Sequence, residues 1–295
     1  MVGCASRHST PVPRTRSSHD FAALADGEIH VWTARFVDDE SLTDSRLALL
    51  DTQERGRAAR LAGRRHRMRF IHFRAFARQV LGGYLGVPAA EVRLAVGRNG
   101  KPSIARRARD PELHFNLSHS GDCCLLAARL GSAVGIDVEQ VRDTPDALAI
   151  ARRFFARSEA ELLARLGGEA RRDAFLALWT HKEAAVKALG ENLADNIERL
   201  ELMLDSDGRP QLNSRPATPP LPDGTWVRRL DAPSGHVAAL AGLHPCANIL
   251  SYAWTEVGPD AVRAREREAP DWIAPQGAPA VPVRSREAFD HPRGE

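Results

Sequence analysis

A chain of 295 residues with 43% hydrophobic side chains is long enough for one large domain or two small ones. Its formal net charge of +3 gives no argument for a nucleic-acid ligand from the total, and no stretch reaches the roughly 18 apolar residues of a membrane span. The four cysteines, Cys4, Cys123, Cys124 and Cys246, form no Cys-x-x-Cys pair, which argues against zinc and a disulfide framework and for a cytoplasmic protein.

Residues 1–27 carry Arg7, Arg14 and Arg16 without an apolar segment, so they read as a disordered extension and not as a secretory signal. Residues 28–36 alternate Ile29 and Val31 with His30 and Trp32, as a strand does. Residues 41–61 form a helical region with Leu47, Leu50 and Leu61 as its apolar positions. Residues 64–85 form an amphipathic helix marked by Phe70, Phe73, Ala77, Val80 and Tyr84, and Gly86 and Pro88 stop it. From Arg55 to Arg78 there are nine arginines and no acid. Such a run fits a solvated helix face, a nucleic-acid patch, or an electropositive wall for a polyanionic ligand or an acidic partner.

A short strand over 92–96 leads to Asn99-Gly100, a hairpin signal, with Lys101 directly after it. Strands over 113–117 and 123–130 are joined through the polar turn Ser118-His119-Ser120-Gly121. A Ser-His pair invites a hydrolase reading. Adjacent strand residues point to opposite faces, however, and no Gly-x-Ser-x-Gly elbow exists. Cys123 and Cys124 sit in an apolar strand as buried thiols.

In residues 134–138, Val134, Ile136 and Val138 alternate with Gly135 and Asp137, and Glu139 continues the period. Asp137 and Glu139 therefore share one face. Two such carboxylates repel unless a cation sits between them, and they suit a hard divalent ion; the alternative is a solvated edge strand. Helices follow over 147–155 and 158–189, with Ser158 as a cap and Glu161 at the capping-box position. Glu159 reads as structural. In the stretch 171–189, Phe175, Leu178, Trp179, Val186 and Leu189 mark the apolar stripe. Glu183 and Lys187 lie one turn apart on this helix, either as a surface ion pair or as part of a metal and phosphate site. Strands over 200–204, 211–213, 226–230 and 236–243 complete the pattern, and the proline-rich residues 210–222 form a surface loop. Residues 258–295 read as a disordered tail with Trp272 and Ile273 as its hydrophobic anchor.

The motifs Gly100-Lys101-Pro102, Phe115 to Ser120, Gly135-Ile136-Asp137-Val138-Glu139 and Trp179 to Lys187 occur in an order and spacing that resemble the Sfp-like 4′-phosphopantetheinyl transferases, over roughly residues 28 to 243. The resemblance implies an α+β fold built as a pseudo-twofold tandem of two similar subdomains. They would span residues 28–131 and 132–257, with a boundary near Gly131-Ser132 and the active site between them. It implies transfer of 4′-phosphopantetheine from coenzyme A to a serine of an acyl or peptidyl carrier protein, with release of adenosine 3′,5′-bisphosphate. Asp137, Glu139 and Glu183 would hold magnesium, or manganese in its place. Glu183 would serve as base or ligand, and Lys187 would act on the pyrophosphate. Arg57, Lys101, Ser118 and His119 would contact the coenzyme around its 3′-phosphate. The enzyme would be a cytoplasmic monomer with no nucleic-acid or membrane partner. Two departures stand out: Glu54 where a basic residue is common, and Glu191 where the family is commonly basic.

Overall fold

The computed structural model describes residues 23–97, 101–105, 112–191, 197–198, 200–205, 209–213, 221–256 and 262–266. The Asn99-Gly100 turn, Asn192, Leu193, the anchor Trp272-Ile273, most of the extension 1–27 and most of the tail 258–295 lie outside them.

The first half begins with β1 (Glu28–Arg35) and three helices, α1 (Thr43–Leu49), α2 (Thr52–Arg60) and α3 (Arg64–Leu85). It continues through the hairpin β2 (Leu94–Val96) and β3 (Pro102–Ile104), then β4 (Leu113–Ser120) and β5 (Cys123–Leu130). The second half repeats this order. It runs β6 (Val134–Gln140), α4 (Ala147–Phe154), α5 (Arg157–Arg165), α6 (Gly168–Leu189), the hairpin β7 (Leu202–Leu204) and β8 (Pro210–Leu212), then β9 (Trp226–Leu230) and β10 (His236–Gly242). In each half the first strand pairs antiparallel with the last, and the last with the one before it, giving β1-β5-β4 and β6-β10-β9. The long helices α3 and α6 both have 22 residues and both end on a left-handed glycine, Gly86 and Gly190. The fold is α+β, and the second half repeats the topology of the first.

Strand parity builds the layers. On β5, Cys124, Leu126 and Ala128 pack on Phe73, Phe76, Ala77 and Val80 of α3. Cys123, Leu125 and Ala127 face the other way, against Val134, Ile136 and Val138 of β6 and Leu240 of β10. Ala239 and Ala241 on the far side of β10 pack on α6. The order is therefore helix, sheet, sheet, helix, and β5 is buried on both faces as its continuous apolar run requires.

Several expectations need correction. Residues 41–61 are two helices, because Leu50 is extended and Asp51 starts a new capping box with Glu54. Helix α5 is capped at Ala156, not Ser158: the Glu159 carboxylate accepts from the Ala156 N–H at 2.8 Å, while the Ser158 hydroxyl donates to Glu201. The stretch 158–189 breaks at Gly167 and Gly168, the latter at φ 50. Residues 210–212 of the expected loop form β8. Strand β11 (Asn248–Glu256) returns to the first sheet and pairs parallel with β1, and β12 (Val262–Glu266), inside the expected tail, pairs antiparallel with β11. Leu250, Tyr252 and Trp254 of β11 pack on the α3 side of that sheet, so the strand buries an apolar face and covers the edge of β1.

Candidate active site

Strand β6 faces the inter-sheet core with Val134, Ile136 and Val138, so Gly135, Asp137 and Glu139 face α6. A Cβ built on Gly135 would lie 2.0 Å from the Ala184 carbonyl oxygen and 2.4 Å from the Ala188 nitrogen. Only glycine lets β6 and α6 approach this closely. Asp137, 3% exposed, thereby meets the last turns of α6. Its Oδ1 accepts from Lys187 Nζ at 2.6 Å and from the Ser118 hydroxyl at 2.8 Å. Its Oδ2 is buried without a hydrogen-bond partner. Glu183 Oε2 lies 3.6 Å from the same Lys187 ammonium.

The neighbouring strand fixes the second carboxylate. Asn116, Ser118 and Ser120 alternate along β4 on the face toward β6. Asn116 Oδ1 accepts from the Ile136 N–H at 2.8 Å, and the Ser120 hydroxyl donates to Glu139 at 2.7 Å and accepts from the Gln140 N–H at 3.1 Å. This polar seam joins edge strands of the two halves. Its period-two polar pattern is visible in the sequence, but Ser118, His119 and Ser120 are not the expected turn: the strand runs on through Ser120 because its polar face is bonded to β6.

The electrostatics follow from crowding. Burial, countered by Lys187 and reinforced by the charges of Asp137 and Glu139, pushes the Glu183 carboxyl up to about 7. Burial also raises Glu139, against the Ser120 hydrogen bond and with help from Asp137. Burial works against the Lys187 charge, but Asp137 and Glu183 outweigh it and hold the ammonium above its ordinary pKa. A group half-protonated near neutral pH, beside two further carboxylates and a lysine, suits proton transfer at a phosphate. Among the described residues no three His, Cys, Asp or Glu side chains are drawn together as a ready metal-ligand group. The unpartnered Asp137 Oδ2 and the raised carboxyls of Glu139 and Glu183 still fit a divalent cation, which would relieve all three.

On the other face of β4, His119 packs against Phe73 of α3, with ring centroids 5.4 Å apart. Its pKa is lowered by burial and by the charges of Arg69, Arg74, Lys187 and Arg57. Arg57 and Arg74 both sit over the Phe70 ring, at 5.3 and 5.5 Å. The structure thus brings Arg57 within electrostatic reach of His119, together with Arg69 and Arg74, which the arginine run contains without distinguishing. Ser118 and His119 fall on opposite faces, and the Ser118 hydroxyl serves Asp137. Lys101 directs its ammonium at the Lys187 backbone carbonyl, 2.6 Å away. The unusual Glu54 has a structural reason: it is 9% exposed, pairs with Arg78 at 2.5 Å and faces Arg74 at 3.7 Å. A groove of about 820 Å³ between α1, α2 and α3 contains none of the site residues.

Two family descriptions match the chain, "4'-phosphopantetheinyl transferase superfamily" over residues 133–241 and "4'-phosphopantetheinyl transferase, N-terminal" over residues 39–131. The 4′-phosphopantetheinyl transferase HetI of Nostoc sp. is 37% identical over 194 residues, covering 66% of this chain and 81% of that protein. A 4′-phosphopantetheinyl transferase of Bacillus subtilis is 30% identical over 206 residues, covering 65% of this chain and 86% of that protein. A solved holo-(acyl-carrier-protein) synthase from Bacillus anthracis, in complex with CoA (3',5'-ADP), superimposes with a TM-score of 0.31 at 20% identity, over 38% of this chain and 96% of that one.

Proposed function

This chain belongs to the 4′-phosphopantetheinyl transferase family, and from that premise we propose that Asp137, Glu139, Glu183 and Lys187 carry its chemistry. The enzyme moves 4′-phosphopantetheine from coenzyme A to a serine of a carrier protein and releases adenosine 3′,5′-bisphosphate. In the proposed mechanism Glu183 takes the proton of the serine hydroxyl. The serine oxygen bonds to the β-phosphorus as the bond to the oxygen bridging it to the α-phosphate breaks. Lys187 stabilises, or protonates, the leaving phosphate. Phosphoryl transfer asks mostly for such positioning and charge neutralisation. Asp137 and Glu139, with Glu183, would hold magnesium or manganese, and that ion would neutralise charge on the pyrophosphate. Arg57, Arg69 and Arg74 form the positive surface for the 3′-phosphate, and the His119 imidazole beside them offers it a hydrogen bond.

The observation that carries the mechanism is the Glu183 carboxyl, raised to about 7 and 3.6 Å from Lys187. Incubation with coenzyme A, magnesium and a panel of apo acyl and peptidyl carrier proteins, read by intact mass, identifies the acceptor. Glu183→Gln should lower the rate by roughly 10²–10⁴-fold and leave coenzyme binding close to wild type. Loss of binding with an unchanged saturated rate would show that Glu183 is not the base.

No described helix is long and apolar enough to cross a membrane. The free thiols of Cys123, Cys124 and Cys246 support a reducing, cytoplasmic setting. One chain supplies both halves of the site, which supports a monomer.

A further inference from the structure

Lys101 belongs to the first half of the chain, directly before β3, and its carbonyl accepts from the Gly97 N–H at 2.9 Å. Its ammonium reaches across to the second half and donates to the Lys187 backbone carbonyl at 2.6 Å. That carbonyl lies in the last turn of α6, where the final C=O groups lack helical partners and the helix dipole favours a cation. The Gly190 N–H donates to the same oxygen at 3.3 Å, from a left-handed residue that ends the helix. From β6, Gly135 presses on the Ala184, Lys187 and Ala188 backbone. The Lys187 backbone is therefore gripped by both halves, while its side chain reaches Asp137 and Glu183.

We propose that Lys101 is a positioning residue for Lys187: it fixes the end of α6 from the opposite subdomain, so that the Lys187 ammonium is aimed at the reacting phosphates only when the halves are correctly docked. The inference rests on the assignment of Lys187 to the transfer step. It differs from a coenzyme contact in what it changes. A lost phosphate contact falls mainly on KM, whereas a misaimed Lys187 falls on kcat.

The test uses the full chain with coenzyme A and dephospho-coenzyme A as donors of phosphopantetheine to one carrier protein. Lys101→Met, which keeps the aliphatic stem, should lower kcat about 10- to 100-fold, since displacements near 1 Å cost that much. Its KM for coenzyme A should stay within about threefold of wild type, and its preference over dephospho-coenzyme A should be retained. Lys101→Gln keeps a donor without the charge, so its kcat should fall between the two. The double variant Lys101→Met with Lys187→Ala should be no slower than Lys187→Ala alone, because the two act through one group. A wild-type kcat in both Lys101 variants, with Lys187→Ala impaired, overturns this inference alone. So does an additive double variant, or loss of the coenzyme preference, which would make Lys101 a reader of the 3′-phosphate. A wild-type rate in Lys187→Ala would remove the transfer assignment and the inference together.

Discussion

Gly135→Ala tests whether the site depends on the close approach of β6 to α6. The new Cβ would sit 2.0 Å from the Ala184 carbonyl oxygen, 2.4 Å from the Ala188 nitrogen and 3.0 Å from the Lys187 carbonyl carbon. All three are backbone atoms, so no rotamer change relieves the clash, and α6 must move off β6 by more than about 1 Å. Overpacking of this kind costs typically about 1–3 kcal/mol. For a chain of this size that is a loss of roughly 2–10 °C in Tm. The catalytic cost should be larger in proportion, because the displaced segment carries Glu183 and Lys187 while Asp137 and Glu139 stay on the strand. Misplacement by about 1 Å gives about a hundredfold loss in kcat. Gly131→Ala is the control. Unlike Gly135, Gly131 has a positive φ, 66°, but nothing lies within 4 Å of its added Cβ, so it should cost stability through backbone strain alone and leave kcat unchanged. The assays are thermal unfolding by circular dichroism and carrier modification by intact mass at saturating coenzyme. A Gly135→Ala enzyme with wild-type Tm and kcat would refute the packing argument.

Asp137→Ala and Glu139→Ala should fold and lose magnesium-dependent turnover, and a magnesium titration in which Asp137→Ala matches wild type at limiting metal would exclude Asp137 as a ligand. Burial, chiefly, holds the His181 imidazole at about 4 and His72 at about 3, below the ordinary 6.5. The unfolded chain therefore takes up these protons first, and stability should be lost as pH falls from 6.5 toward 4, by at most about 1.4 kcal/mol per pH unit for each histidine. The raised Glu139 and Glu183 act in the opposite sense, so the check is the difference between variants: His181→Gln should flatten the pH dependence of Tm, and an unchanged slope would exclude His181 as a source. Association with an acidic carrier should slow as ionic strength rises, measured as kcat/KM for the carrier, and salt independence would refute electrostatic docking.

That last expectation is narrower than the arginine run suggested. Arg64 pairs with Asp38 and Glu40, Arg65 with Asp122, and Arg78 is buried with Glu54 and Asp51. Exposed Arg57, Arg60 and Arg67 carry the charge that a partner can meet. The run contains no acid of its own, so its partners come from other elements, and a reading of local composition could not find them. The same distinction separates what was legible from what was not. Helix α3 is legible residue for residue over 64–85, because period, glycine stop and apolar stripe are all local. The shared face of Asp137 and Glu139 was also local, a matter of strand parity. Strand β11 was missed as a partner of β1 because parallel pairing between residues 28–33 and 248–253 leaves no mark in either segment beyond its own alternation. The contacts of Lys101 with the Lys187 carbonyl and of Glu54 with Arg78 are not legible for a related reason: motif position says where a residue sits in the chain, and only packing says what its charge meets.

The placement of the site at the join between the halves follows from how the sheets end. Strand β4 closes one sheet and β6 closes the other, so each presents an edge with unpaired backbone groups. These edges do not hydrogen-bond to each other as a continuous ladder. Side chains of β4 do the work instead, with Asn116 accepting from Ile136 N–H and Ser120 from Gln140 N–H. The hydroxyls in the same row, Ser118 and Ser120, turn to Asp137 and Glu139. One row of polar side chains thus protects two strand edges and orients two carboxylates. A ladder of backbone bonds would have protected the edges equally well, but it would have left no side chains aimed at Asp137 and Glu139. The seam is therefore where two copies of one topology can acquire a site that neither copy contains alone.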